Sequence, residues 1–264
     1  IYTGEDTLSL HDALPICSQL VTVLPWRDIF LFLAFYGAVV WFCTYRFLIE
    51  TLHRDNRRST GVKLVLQRFK AVLGDRIYVG ILIYSVLQIV ALFGYLNTVS
   101  FLYQGIYGLT PALFGLVFAS NSVMLYLGTQ LGARLGKKYP AQWILIINGI
   151  LFALAGYGLI FAGIAVAPLF VVEALVMLML FNFGSTSTLT GALTLAQHPN
   201  EAGTAASLIG VLNFTFTSLL SGFYPMLGTN SSFGIGCLIA GCLTLGVLAL
   251  FFVMKPKTVP ALQQ

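Results

Sequence analysis

Residues 77–133 read IYVGILIYSVLQIVALFGYLNTVSFLYQGIYGLTPALFGLVFASNSVMLYLGTQLGA, and none of them carries a charge. A helix of about 20 apolar residues crosses the ~30 Å hydrocarbon core of a bilayer, so this stretch is long enough for two crossings. The motif QGIYGLTP at residues 104–111 places Gly and Pro near its middle, where a chain that crosses twice must turn. The stretch therefore predicts two membrane-spanning helices joined by a short turn.

The rest of the chain repeats this pattern. Residues 29–45 and 202–254 are also free of charge, and Glu173 is the only charged residue between positions 139 and 200. Charged residues make up 9% of the chain and hydrophobic residues 58%, whereas soluble domains are about 25% charged. We predict an all-α polytopic membrane protein with seven transmembrane helices, which lie at about residues 29–49, 78–103, 111–133, 142–162, 167–190, 203–225 and 233–254.

The distribution of positive charge orients these helices. Of the 14 Lys and Arg residues, 13 fall on one side of the predicted spans, and Arg27 alone lies on the other. Cytoplasmic loops carry such an excess, so we expect a multi-pass plasma-membrane protein whose C-terminus is cytoplasmic. The loop at 191–202 is the exception, because it is expected in the cytoplasm yet contains no Lys or Arg. The cations behind the net charge of +5 lie in the loops expected in the cytoplasm, where they suit lipid headgroups. We therefore expect the lipid bilayer as a partner and no nucleic acid.

The connection after the first span has a helical pattern of its own. Six apolar residues fall on one helical face, namely Val62, Val65, Leu66, Phe69, Val72 and Leu73. A helix of this kind lies in the membrane interface with its apolar face in the acyl boundary. The alternative is a simple extension of the second span.

Three stretches resemble one family of membrane proteins. They are WRDIFLFLAFYGAVVWFCTYRFLIETL at 26–52, YLNTVSFLYQGIYGLTPALFGLVFASNSVMLYLGTQLGARL at 95–135, and AQHPNEAGTAASLIG at 196–210. They are similar to parts of major facilitator superfamily transporters, and in particular to the Bcr/CflA-like drug:proton antiporters. Two positions differ from that group: Ser100-Phe101 stands where Ser-Pro is usual, and residues 185–188 (STST) replace a Pro-Asn pair.

The resemblance implies a division of the chain. Residues 17–50 correspond to the last helix of the N-terminal transporter half, 51–76 to a cytoplasmic linker with the interfacial helix, 77–256 to the six-helix C-terminal bundle, and 257–264 to a cytoplasmic tail. The stretch LSLHDALPI at 8–16 resembles a translated sequencing adaptor, so we expect residues 1–16 to be non-native. The N-terminal half of the transporter is then missing. We expect such a fragment to insert without transporting, its first span standing apart from the bundle.

The resemblance also implies a function. It predicts part of a secondary active transporter of a bacterial inner membrane, which exports drugs or small amphipathic molecules by alternating access in exchange for protons. The substrate is expected to be cationic or aromatic. A metabolite or sugar transporter of the same superfamily is the first alternative, and a non-transporting membrane fragment or scaffold is the second.

Enzymatic function is not expected. The sequence contains neither HExxH nor GxSxG, and His11, His53 and His198 lie outside the predicted spans. The four cysteines show neither CxxC nor Cys/His ligand spacing. We therefore expect no catalytic residue, no metal site and no cofactor.

Glu173 is the first candidate functional residue, because an acid inside a membrane span is costly and marks a functional site by default. It could bind a cationic substrate or take up the coupling proton. The alternative is a carboxylate that reaches an outer water layer or a neighbouring hydroxyl. No cation is expected near it, which predicts an unpaired carboxylate.

Other polar residues within spans are candidates for the substrate cavity. On the second span they are Tyr84, Gln88, Tyr95 and Thr98, on the third Asn121, and on the sixth Asn213 and Thr217. Tyr224 lies on the same helical face as Asn213 and Thr217. Hydrogen bonds between helices are the alternative role for all of them. Gly128, Gly132 and Gly136 form a GxxxGxxxG pattern that favours close helix packing. By resemblance, a cytoplasmic gating loop contains Gly132, Arg134, Gly136, Lys137 and Lys138, with a plain basic loop as the alternative.

Overall fold

A computed structural model describes residues 26–47, 62–197, 201–224 and 232–256. Within these ranges the chain forms helices and no strand. The α-helices are α1 (Trp26–Phe47), α2 (Val62–Leu73), α3 (Arg76–Ser100), α4 (Pro111–Lys138), α5 (Ala141–Ile164), α6 (Leu169–Gln197), α7 (Ala202–Ser221) and α8 (Ser232–Ala249). π-Helical segments continue α3 over Phe101–Ile106 and α8 over Leu250–Met254.

The predicted fold class is confirmed. Seven helices in the described ranges, all except α2, are long and apolar enough to cross a membrane. The largest difference from prediction is at the end of α6, which continues to Gln197 rather than ending near residue 190. The first proline after Glu173 is Pro199, so no proline interrupts α6 before that point.

Local sequence determines where two helices begin. The Asp75 side chain accepts a hydrogen bond from the backbone N–H of Ile77 at 2.9 Å and thereby caps α3. Thr110 caps α4 in the same way through the N–H of Leu113, and Pro111 occupies a first-turn position where its missing N–H is not needed. These caps place the turn between α3 and α4 inside the QGIYGLTP motif.

Glycine brings α4 and α6 into backbone contact. A Cβ atom at Gly128 would lie 1.9 Å from the carbonyl oxygen of Phe181, and one at Gly132 would lie 2.7 Å from that of Ser185. Both contacts advance by four residues, so the two helices run parallel. Small residues allow this approach, which is a main source of helix association in membranes.

A second close contact joins α5 to α8. A Cβ atom at Gly156 would lie 2.6 Å from the backbone nitrogen of Ala240, and one at Gly163 would lie 2.4 Å from that of Phe233. Residue numbers rise on α5 as they fall on α8, so these helices are antiparallel. The two glycine-mediated helix pairs, α4 with α6 and α5 with α8, therefore join helices that are not consecutive in the chain.

The helix contacts follow a two-fold pattern. The contact between α4 and α6 corresponds to the contact between α7 and α3. The contact between α5 and α6 likewise corresponds to that between α8 and α3, and α5 and α8 pack on each other. Exchanging α3–α4–α5 with α6–α7–α8 therefore reproduces these pairings. Two three-helix repeats related by a pseudo-two-fold axis would produce such pairings.

The helices α1 and α2 are less enclosed than the bundle. The candidate span Phe30–Phe47 of α1 has no buried residue. α2 buries Val72 against a cluster that includes Tyr78 and Ala205, whereas Leu66 is 67% exposed. The predicted helix at 62–73 is therefore present, and its apolar face is divided between the bundle and the surface.

Candidate functional site

Glu173 lies just after the first turn of α6, which begins at Leu169. Its side chain is half-buried, and it is the only acidic residue within the seven candidate spans of the described ranges. The lack of a cation near Glu173 stays a prediction, but its carboxylate does have a hydrogen-bond partner among the described residues. The hydroxyl of Tyr103 donates a hydrogen bond to Glu173 Oε2, so the expected alternative of a neighbouring hydroxyl describes the geometry.

Two further side chains complete a group that we call the Glu173 cluster: Glu173, Tyr103, Asn121 and Tyr95. Asn121 Nδ2 donates a hydrogen bond to the Tyr95 hydroxyl at 3.3 Å. Asn121 also lies close enough to Glu173 and Tyr103 to interact with both. The cluster joins α3, α4 and α6, and it brings together three residues that the sequence analysis had selected on separate spans.

The π-helical segment of α3 places Tyr103 in this cluster. A π-turn holds more residues than an α-turn and often marks a functional site. The segment begins at Phe101, directly after Ser100. Beyond it, the hydroxyl of Tyr107 donates a 2.8 Å hydrogen bond to the carbonyl oxygen of Ala167. Burial raises the pKa of the Tyr107 phenol, so this group is a protonated donor at neutral pH.

Two acceptor atoms in the Glu173 cluster have no hydrogen-bond donor among the described residues. They are Glu173 Oε1 and Asn121 Oδ1, and both atoms are buried. Buried polar groups are nearly always hydrogen-bonded to protein, water or ligand. The cluster therefore has the capacity to bind a donor group.

Aromatic rings line one side of the cluster. The ring centroids of Tyr103 and Phe114 are 6.2 Å apart in an edge-on arrangement, and those of Phe114 and Phe118 are 5.8 Å apart. Phe118 is buried. A carboxylate next to aromatic rings is an environment that suits an amphipathic cation.

The other candidates on α3 lie in the interior of the bundle, outside the hydrogen bonds of the cluster. Tyr84, Gln88 and Thr98 are all buried. The Thr98 hydroxyl donates to the carbonyl oxygen of Gly94 in its own helix, at 2.7 Å. The Tyr84 hydroxyl and Gln88 Oε1 make no hydrogen bond within the described ranges.

The candidates on α7 face α3. Asn213 Nδ2 donates to Ser85 Oγ at 3.3 Å. Just beyond the end of α7, the buried Tyr224 hydroxyl donates to the carbonyl oxygen of Val90 at 3.4 Å. The Thr217 hydroxyl is buried without a partner among the described residues. Helix-to-helix bonding therefore accounts for Asn213 and Tyr224, and a cavity role for Thr217 stays a prediction.

A polar contact that the sequence analysis missed joins α5 to α6. Asn148 Nδ2 donates to Ser185 Oγ at 2.7 Å, and both residues are buried. Ser185 belongs to the STST stretch, which was noted only for the Pro-Asn pair it replaces. The polar character of Asn148 in an apolar span was the available signal, but nothing in the sequence identified its partner.

The residues of the predicted gating loop have separate environments. Gly132 lies in the contact between α4 and α6, and a Cβ atom at Gly136 would lie 2.8 Å from the Leu189 side chain of α6. Arg134 and Lys137 are exposed. Arg134 also lines a groove of about 400 Å³ with Tyr126, Leu127, Gln130, Leu131 and Phe181. The gating role stays a prediction.

Comparison with known proteins places this architecture in a family. The sequence profile of the Major Facilitator Superfamily matches residues 13–225. The uncharacterised MFS-type transporter YdgK of Bacillus subtilis (strain 168) is 24% identical over 248 residues, which cover 92% of this chain and 61% of that protein. A bicyclomycin resistance protein homolog of Haemophilus influenzae is 23% identical over 237 residues, covering 90% of this chain and 60% of that protein.

The chain thus spans about three fifths of the length of these relatives, with 61% and 60% covered. Its seven apolar helices, the two-fold pattern of their contacts and the extent of the profile match agree with one another. They agree in placing the chain in a family of membrane transporters. The chain belongs to the Major Facilitator Superfamily.

Proposed function

We propose that this chain is the C-terminal part of a secondary transporter that exports drugs or small amphipathic molecules in exchange for protons. The Glu173 cluster carries the proposal. It combines the one acidic residue of the described spans with a hydroxyl donor and with a second carboxylate oxygen that has no partner among the described residues. A carboxylate in this setting can hold either a proton or a cationic ligand, and an antiporter needs such an exchange.

The position of the cluster supports a link to helix motion. Tyr103 and Glu173 belong to α3 and α6, which occupy equivalent positions in the two-fold pattern of contacts. A change in the charge of Glu173 alters the strength of their hydrogen bond, because bonds to ionised groups are about twice as strong as neutral ones. Protonation can therefore change how firmly the two helices are held together at this end.

The relatives support the class of substrate. One of them is named for resistance to bicyclomycin, which favours drug export by this protein too. A metabolite or sugar transporter of the same superfamily remains the alternative, since a bicyclomycin resistance protein homolog and an uncharacterised transporter are similarly distant relatives. The buried candidates Gln88 and Thr217 have oxygens without a partner in the described part of the chain, and a hydroxyl-rich substrate could also use these oxygens.

Proton movement tests this proposal. The longer protein that we expect to contain this chain is reconstituted into liposomes with a pH-sensitive dye inside. Addition of an amphipathic drug should move protons across the membrane in the wild type and much less in Glu173→Gln. Glu201→Gln, the same substitution at the start of α7, should behave like the wild type. Drug transport that moves no protons would refute the coupling, and transport of sugars but not drugs would favour the alternative.

A further inference from the structure

The two free acceptor atoms of the Glu173 cluster restrict what can bind there. Glu173 Oε1 and Asn121 Oδ1 are buried and receive no hydrogen bond from the described residues, and the Asn121 side chain is 1% exposed. The bonds present in the cluster go elsewhere, since the Tyr103 hydroxyl donates to Glu173 Oε2 and Asn121 Nδ2 donates to the Tyr95 hydroxyl. A ligand that satisfies both atoms must donate at least two hydrogen bonds.

A ligand that replaces the proton of Glu173 must also supply positive charge. The helices packed against α6 are α3, α4, α5 and α7, and their polar groups next to Glu173 are the phenols of Tyr95 and Tyr103 and the amide of Asn121. α5 and α7 contain no charged residue. The cations of α3 and α4 are Arg76 at the start of α3 and Arg134, Lys137 and Lys138 at the end of α4, near the helix ends opposite Tyr103.

The surroundings favour an organic cation over a metal ion. Ca²⁺ takes about 6–8 oxygen ligands and Mg²⁺ about six, whereas the cluster offers two free acceptors. Phe114 and Phe118 form an aromatic wall that continues from Tyr103. Such rings attract an ammonium group and pack against the carbon skeleton attached to it.

We propose that the Glu173 cluster binds the protonated primary amine of an aromatic or otherwise apolar molecule. Two N–H groups of the ammonium donate to Glu173 Oε1 and Asn121 Oδ1, and the apolar part lies along Phe114 and Phe118. This inference rests on the proposed function in treating the amine as the exported substrate, but the binding step itself requires only this chain.

Two probes of equal charge separate hydrogen bonding from simple attraction. The complete chain in lipid nanodiscs is titrated by calorimetry with 2-phenylethylamine and with its N,N,N-trimethyl derivative, which has no N–H group. The primary amine should bind about tenfold tighter or more. Hydrogen bonds to a charged group contribute about 1.5–3 kcal/mol, and about 1.4 kcal/mol changes a dissociation constant tenfold. Equal affinities, or no binding of either probe, would overturn the inference.

Two variants assign the effect to the two oxygens. Glu173→Gln removes the charge and should weaken both probes about tenfold, whereas the matched control Glu201→Gln should leave both unchanged. Asn121→Leu keeps the charge and removes the second acceptor, so it should weaken the primary amine alone. If Glu173→Gln does not fold, the probe pair and Asn121→Leu decide the question. An Asn121→Leu effect of equal size on both probes would contradict the proposed geometry.

The outcomes also separate this inference from the proposed function. Proton-coupled export of neutral drugs without amine binding would refute the amine site alone. Amine binding that follows the expected pattern, in a transporter that moves no protons, would refute the proton coupling alone.

Discussion

The hydroxyl of Tyr103 donates a hydrogen bond to the carboxylate of Glu173, which lies 70 residues further along the chain. The bond joins the π-helical end of α3 to the beginning of α6. Because α3 and α6 are equivalent helices in the two-fold pattern of contacts, it connects the two three-helix units. The only acid in the described spans therefore takes part in a hydrogen bond between the two units, and a change in its charge would alter that bond.

A double-mutant cycle measures the strength of this connection. Tyr103→Phe and Glu173→Leu, which cannot accept a hydrogen bond, are compared alone and combined by thermal unfolding of the purified chain in detergent. We expect a coupling free energy of about 1.5–3 kcal/mol if Glu173 is ionised, the range for hydrogen bonds to charged groups. The control cycle uses Tyr157 and Thr244, whose hydroxyls are 3.0 Å apart on an exposed part of the bundle. Its coupling should be about 0.6 kcal/mol, and equal values in the two cycles would contradict a charged bond.

Substitution of Gly128 should destabilise the bundle. An alanine Cβ there would lie 1.9 Å from the carbonyl oxygen of Phe181, and a backbone atom cannot move aside as the end of a side chain can. We expect Gly128→Ala to cost about 1–3 kcal/mol or more, seen as a lower melting temperature in detergent.

Gly191→Ala on α6 is the matched control for Gly128→Ala. A Cβ atom at Gly191 meets nothing within 4 Å, so the change should be neutral or should stabilise the helix by up to about 1 kcal/mol. If Gly128→Ala melts at the same temperature as Gly191→Ala, the close contact between α4 and α6 is incorrect.

The spans were predictable from the sequence because a membrane admits few structures. Every backbone polar group must be satisfied within the bilayer, so an apolar stretch of sufficient length becomes a helix. The GxxxGxxxG pattern at Gly128, Gly132 and Gly136 likewise indicated close packing. Its partner helix could not be predicted, because pairing depends on the whole bundle rather than on local spacing.

The composition of the Glu173 cluster was less predictable. Tyr95 and Tyr103 are eight residues apart, which places them about 80° apart on a regular α-helix, and only Tyr95 was selected as a candidate. The π-helical turns at Phe101–Ile106 alter this angle, and no residue type predicts a π-helix reliably. A neighbouring hydroxyl was one alternative for Glu173, but its identity as Tyr103 on another helix could not be predicted.

The orientation of the chain can be tested by labelling. Single cysteines are placed at positions 230 and 58, which lie outside the described residues, after Cys17, Cys43, Cys237 and Cys242 are replaced. A membrane-impermeant maleimide added to intact cells should label position 230 and leave position 58 unlabelled, because 13 of the 14 Lys and Arg residues fall on the side of position 58. The reverse labelling would invert the topology and place the C-terminus outside.

The last prediction concerns which substrates depend on Glu173. In the longer protein expected to contain this chain, Glu173→Gln should reduce export of cationic drugs more than export of neutral drugs of similar size. The substitution preserves the shape of the side chain and its ability to accept from Tyr103, but it removes the negative charge that a cation needs. Efflux of matched fluorescent drugs from cells lacking other pumps measures the difference, with Glu201→Gln as the control at the start of α7.

This prediction separates a charge sensor from a structural carboxylate. A structural role acts through the hydrogen bond between α3 and α6, which Glu173→Gln turns into a weaker neutral bond. The substitution would then lower the amount of protein in the membrane and reduce export of every substrate. A charge sensor leaves the amount of protein unchanged and shifts the ratio of cationic to neutral efflux. Equal loss of both drug classes at normal protein levels would show that Glu173 serves a step common to all substrates, such as proton uptake, and not recognition of charge.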